Sequence, residues 1–300
     1  MITPFWLFMV NKYPLFIFCG RDQKKRELIE VLDPDEKYGV KCLIPMLGRR
    51  IIDWQLDALR QSPYVDEIYL LGLTEEMAKF DFPVHYVPVP TISNLAEKLY
   101  AGLQYLRKQG KDNTLISVSS SDTPGMTVEA VNDFYEQADK YRDYDFVQSA
   151  VPDELTALTF PSHKRVVGRF KDHHVYPGEM FLMSEKAIIE GNNLIAEISG
   201  GRTNIKKKER GKKTSALKPV LKLILRTPSI WFGITKFLFG RLTLDGGAKL
   251  LGRAAKKMKV KAVIIEDAAS GMDMDLPEDY EVLKKYLSKI KNIPYEEGIS

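Results

Sequence analysis

Residues 114–128, TLISVSSSDTPGMTV, decide the fold. Leu115, Ile116 and Val118 form an apolar run of strand length, so 114–118 reads as a buried strand. Three small side chains follow, Ser119 to Ser121, and then Asp122. Pro124 and Gly125 are turn residues. Thr127 can start a helix, with Glu129 in its first turn. Strand, acid and helix in this order form the repeating unit of a parallel α/β sheet. Ligands on such sheets sit beyond the carboxyl ends of the strands, where Asp122 lies.

The same alternation extends outward. Strands are expected at 15–19, 67–71, 85–89 and 260–265. Helices are expected at 51–60, where Ile51, Ile52, Leu56 and Leu59 share a face, and through Leu95, Leu99, Leu103 and Leu106 with Ser93 as cap. Residues 146–151, 166–170 and 180–183 read as short strands of an antiparallel extension or edge, followed by a helix at 184–190. A last helix runs through Tyr280, Leu283 and Leu287. The fold class is α/β, a mostly parallel sheet with helices on both faces.

Composition bounds the function. Three hundred residues can bury a substantial core. The formal net charge of +4 is too mild to argue for nucleic acid. Cys19 and Cys42 make neither a disulfide framework nor a zinc site, and the four histidines lack a metal-ligand spacing. A cytoplasmic setting fits. Residues 1–14 read as an apolar N-terminal extension to a domain at 15–300. Residues 203–257 form a basic, aromatic insertion expected to be helical. Lys218, Lys222, Arg226, Lys236 and Arg241 interrupt its apolar part, so a membrane span is not expected. Two readings stand: a helical subdomain that caps the active site or forms a homodimer contact, and a segment at 217–244 lying peripherally on an anionic membrane surface.

A second acidic site lies about 150 residues after Asp122, in 270–283, SGMDMDLPEDYEVL. Asp275 suits a helix N-cap, with Glu278 returning the bond three residues on and Pro277 in the first turn. Asp273 has no such duty. Asp122 and Asp273 are therefore the expected ligands of one divalent cation, held against a phosphate chain. Cations for the phosphates are sought among Arg21, Lys41, Arg49 and Arg50. Lys41 stands out because it opens an otherwise apolar passage ending at Pro45.

Four passages together resemble the MobA-like nucleotidyltransferases, relatives of the molybdenum-cofactor guanylyltransferases and of the nucleotide-sugar pyrophosphorylases. They are FIFCGR at 16–21, VKCLIPMLGRRIIDWQLDAL at 40–59, LISVSSSDTPGMTVEAV at 115–131 and GMDMDLPEDYEVL at 271–283. The resemblance implies a three-layer α/β/α sandwich of Rossmann-like type. It implies that Gly20 and Arg21 border the nucleotide, that Lys41 contacts phosphate and that Asp122 and Asp273 bind magnesium. Ser93 and Asn94 would meet the base or ribose, and Arg49, Gly178 and Glu179 the acceptor. The loop after Gly20 reads GRDQKKRELIEV, where the family carries more glycine. Glu179 stands where the family has asparagine, Arg50 where it has proline and Leu276 where it has threonine.

The implied activity is magnesium-dependent transfer of NMP from a nucleoside triphosphate to a phosphorylated small molecule, with release of pyrophosphate. The alternatives are metal-dependent glycosyl transfer and a non-catalytic, membrane-associated nucleotide-binding role.

Overall fold

The computed structural model describes residues 10–21, 27–161, 167–191, 231–255 and 257–295. Residues 1–9 of the expected extension, and 203–230 of the expected insertion, lie outside them. The strands are β1 (Tyr13–Phe18), β2 (Pro45–Met46), β3 (Arg49–Arg50), β4 (Val65–Leu71), β5 (His85–Val87), β6 (Ile116–Ser120), β7 (Phe146–Pro152), β8 (Gly168–Arg169), β9 (His174–Met183) and β10 (Val260–Ile264). The named helices are α1 (Glu27–Leu32), α2 (Ile51–Gln61), α3 (Leu95–Lys108), α4 (Val128–Ala138), α5 (Asp153–Thr159), α6 (Trp231–Leu238), α7 (Leu244–Ala254) and α8 (Pro277–Lys291). Residues 185–191 are also helical.

One sheet runs in the order β10-β7-β9-β6-β1-β4-β5, with β8 paired to β9. β1 is parallel to both β4 and β6, β4 to β5, and β7 to β10. β9 is antiparallel to both its neighbours, β6 and β7. Of the two alternatives expected here, the antiparallel extension is what the sheet shows, through β9 with β6, β7 and β8, and the edge is not, since β9 is interior and β10 ends that side of the sheet.

β1 explains the three layers. Leu15 and Ile17 enter one core cluster and Phe16 another, because successive side chains of a strand point to opposite faces. Each is fully buried, worth about 1.5–3 kcal/mol apiece. Helices α2 and α4 supply the first cluster through Leu56, Leu59, Val131 and Phe134. Helix α3 supplies the second through Leu99, Leu103 and Leu106. Gly102 lets α3 approach, since any side chain there would meet the Phe16 ring.

Capping sets the helix starts. The Thr127 hydroxyl accepts from the Ala130 N–H, as expected. α3 is capped by Asn94 and not by Ser93: the Asn94 carbonyl accepts from Glu97 N–H at 2.9 Å, and Glu97 returns the bond at 3.0 Å. At α8 the N-cap residue is Leu276 and not Asp275. Asp279, rather than Glu278, closes the turn by accepting from the Leu276 and Asp275 N–H groups at 2.9 and 3.1 Å. That frees the Asp275 side chain from the capping duty assigned to it. No helix among the described residues is long and apolar enough to cross a membrane.

Candidate active site

The chain leaves β1 toward β4 and β5 on one side, and reaches β6 on the other. The strand order therefore reverses between β1 and β6, and in an open α/β sheet that crevice is where ligands bind. Gly20 follows β1, and Asp122 follows β6.

The loop carrying Asp122 is tied down on three sides. Gln55 of α2, fully buried, donates to Ser119 Oγ at 2.9 Å and to Ser120 O at 2.8 Å, and accepts from the Thr123 N–H at 3.1 Å. Ser121 donates to Phe18 O at 2.7 Å, which fastens the loop to β1. Gly125 packs so closely on Ala269 that an added Cβ would lie 2.9 Å from that residue's methyl. Asp122 is itself buried, at 8% exposure.

The second acidic segment arrives on an extended stretch. In Met272-Asp273-Met274-Asp275 the residues alternate, so Met272 and Met274 are fully buried in a core cluster and the two aspartates face the other way. The preceding turn, Ala268–Gly271, is capped by Asp267, which accepts from the Ser270 N–H and hydroxyl at 2.9 and 2.6 Å. Burial pushes the Asp267 carboxyl above its ordinary range, against the opposing effect of those bonds.

Asp122, Asp273 and Asp275 each offer one carboxylate oxygen, and the three oxygens lie within 4.8 Å of one another. Lys41 joins them. Its ammonium donates to Met274 O at 2.6 Å, lies 3.3 Å from Asp275 Oδ1 and forms an ion pair with Asp122 Oδ2. The expected pair of acids is thus brought together, and Asp275 belongs to the same cluster.

The set fits a hard divalent cation. Three carboxylates and one ammonium carry two net formal negative charges, and the donors are all oxygen. Asp122 Oδ1 is buried with no hydrogen-bond partner among the described residues, a costly state that a cation would relieve.

The other expected residues are dispersed around this centre. Gly20 has φ +106°, and a Cβ there would strike Thr91 O, so glycine is required. Arg21 donates its N–H to Thr91 O at 3.1 Å, while its guanidinium pairs with Glu36 at 3.0 Å. Ser93 donates to Pro90 O at 2.7 Å, and Asn94 is engaged as the cap. Arg49 stands apart from the cluster, paired with Asp57 at 2.7 Å and stacked over Trp54, in a groove it shares with Arg50 and Tyr38. Gly178 is needed for packing, because a Cβ would collide with Ser149 of β7. Glu179 is half-buried and precedes Met180, which pairs with Ser119 of β6, so it lies at the end of the sheet that bears Asp122.

Lys98 was not among the expected residues. It is buried, and its ammonium lies 3.0 Å from where a Gly20 Cβ would stand, with its Cε 3.2 Å from the same point at Gly72. The signal was present: with Leu95, Leu99 and Leu106, position 98 falls on the inward face of a helix, where a lysine is unusual. Cys19 and Cys42, which precede Gly20 and follow Lys41, are buried free thiols that interact with each other. Burial pushes the Cys19 thiol well up.

Similarity to known proteins agrees with this geometry. No curated protein sequence matches the chain. Among solved structures, a hypothetical transferase from Thermus thermophilus superposes with TM-score 0.60 at 21% identity, covering 90% of this chain and 99% of that one. A CMP:2-keto-3-deoxy-manno-octonic acid synthetase complexed with CTP superposes with TM-score 0.52 at 9% identity, covering 93% and 100%. At these identities the likeness concerns the fold. The sequence profile of the MobA-like NTP transferase domain matches residues 37–192, over half the chain, including Lys41 and Asp122 but neither the loop after Gly20 nor the Asp273 segment. The chain belongs to the MobA-like NTP transferase domain family, and is an NTP transferase by that membership.

Proposed function

We propose that the protein transfers the NMP moiety of a nucleoside triphosphate to a phosphorylated small molecule, with magnesium, and releases pyrophosphate. The observation that supports this most is the convergence of Lys41 with Asp122, Asp273 and Asp275 at the crevice where the strand order reverses.

Asp122 and Asp273 hold the magnesium ion, with Asp275 beside them. Bound magnesium neutralises phosphate oxygens and so lowers the barrier to attack on phosphorus. Lys41 supplies the mobile positive charge of the site. Its present partners include Met274 O and two carboxylates that a divalent cation would take over, which would leave the ammonium able to pair with phosphate oxygen. Gly20, just past the carboxyl end of β1, borders the phosphates. Arg21, the start of α3 at Ser93 and Asn94, and the buried Lys98 border the rest of the nucleotide. Glu179 and Gly178, at the Asp122 end of β9, face the acceptor side, and Arg49 offers a more distant cation to it.

In the reaction an acceptor phosphate oxygen attacks the α-phosphorus. A new P–O bond forms as the bond to the β-phosphate bridge breaks, and the electron pair leaves on pyrophosphate. The acceptor phosphate is already anionic, so no strong general base is needed. The chain's task is alignment and charge stabilisation.

The test incubates the intact protein with each nucleoside triphosphate, magnesium and a panel of sugar and alcohol phosphates, and follows pyrophosphate. One nucleotide should support release with at least one acceptor class. Absence of both nucleotide binding and pyrophosphate across the panel would overturn the proposal.

A further inference from the structure

Helix α6 turns its apolar side outward. Two contacts mark its inner face. Gly233 lies against Leu250 of α7 so closely that any Cβ would strike that leucine, and Phe237, part of which stays exposed, meets Phe170 edge-on with ring centroids 5.7 Å apart. These positions are four apart and share one side of the helix.

The other side carries Phe232 at 72% exposure and Leu238 at 75%, with Phe239 at 78% just beyond the helix end; Trp231 is half-exposed. They gather within residues 231–239, unlike the scattered exposed apolar residues normal on a protein surface. Lys236 lies over the Phe232 ring at 4.6 Å, and Arg241 follows the helix. No acidic residue occurs between Trp231 and Leu244. The preceding sequence, 206–226, carries nine basic residues against the single Glu209.

Large apolar side chains on one face, lysine and arginine beside them and no carboxylate form the pattern of a helix lying in a lipid interface. Phe170 belongs to the β8–β9 connection, and β9 starts at the end of the sheet where β6 delivers Asp122. A surface seated on α6 would therefore lie toward the catalytic end of the sheet.

We propose that α6 docks the protein on an anionic lipid bilayer. Phe232, Leu238 and Phe239 enter the boundary between headgroups and acyl chains, and Lys236 and Arg241 stay level with the lipid phosphates. This holds whatever the substrates of the active site.

The test is co-sedimentation of the full chain with vesicles of phosphatidylcholine alone, or of phosphatidylcholine and phosphatidylglycerol in equal parts. The protein should partition to the anionic vesicles in preference, and less so as salt is raised. The combined variant Phe232→Ser, Leu238→Ser, Phe239→Ser should lose about tenfold or more of that partition. Its melting temperature should be unchanged, since these side chains are exposed in the free protein. Lys236→Glu with Arg241→Glu should weaken partition to anionic vesicles alone. Failure of the intact chain to sediment with anionic vesicles overturns the proposal, as does equal sedimentation of the triple serine variant. A dimer in light scattering that this variant converts to monomer would assign the face to a second copy of the chain instead.

Discussion

Asp122 is a buried acid and Asp267 a part-buried one, and their surroundings set them apart. Asp122 faces Lys41 and keeps one oxygen without a hydrogen bond among the described residues, whereas Asp267 accepts both the N–H and the hydroxyl of Ser270 through Oδ2. Asp122→Asn should lower pyrophosphate release by about a hundredfold or more and raise the magnesium requirement while the fold persists, which a metal titration of initial rate and a melting curve would read. A rate within a factor of a few of the parent would remove Asp122 from the site. For Asp267 the sign runs with acidity. Its folded carboxyl titrates above the unfolded value of about 4, so folding takes up a proton between the two. Its contribution is greatest below that window and declines as pH rises through the folded value. Asp267→Asn keeps an acceptor for Ser270 and should raise stability relative to the parent above the window, with the difference closing at lower pH. Denaturant unfolding at several pH values measures it, and a gap that widens on acidification would refute it.

Elements were legible where one local rule governed them. The strand ending near Asp122 and the helix capped by Thr127 follow from a run of adjacent residues. Asp273 stands out in the sequence as the acid without a capping duty, and the burial of Met272 and Met274 on either side of it turns it toward the site. What failed needed non-local information. Pro177 and Gly178 interrupt any strand pattern at 174–183 in the sequence, yet β7 pairs on both sides of them and carries β9 through, with an irregularity between Gln148 and Ala150 absorbing the shift. The N-cap falls on Leu276 and not on Asp275 because the buried Asp279 accepts from the Leu276 and Asp275 N–H groups, in the returning role that the sequence offers equally to Glu278. The contribution of Gln55 was equally hidden, since an amide within a helix gives no sign that it reaches the end of a distant strand. Gln55→Leu should strand the buried Thr123 N–H and cost about 1–3 kcal/mol. It should also loosen the loop that presents Asp122. Chemical denaturation and a magnesium titration of activity should therefore both shift; a shift in stability without one in magnesium response would show that α2 supports the core alone.

At the scale of the whole molecule, the two acidic segments belong to different halves of the chain, and the sheet brings them together. Asp122 comes from the strand next to β1, while Asp273 and Asp275 come from the segment after the edge strand β10, with the core cluster of Met272, Met274 and Tyr280 beneath them. A ligand that bridges them should therefore brace the global fold rather than one loop. A magnesium–nucleotide complex at 100 times its dissociation constant would stabilise the native state by about 2.7 kcal/mol, a rise in melting temperature of roughly 4 °C for a chain of this size. The rise should need magnesium and nucleotide together, since each alone leaves the charges of the other unbalanced at the cluster. Chelation with EDTA should abolish it, and Asp122→Asn and Asp273→Asn should each reduce it. Thermal scans of parent and variants with nucleotide alone, magnesium alone and both would decide. A full shift with nucleotide alone, unchanged by chelation or by either substitution, would mean that the nucleotide binds away from the two acidic segments.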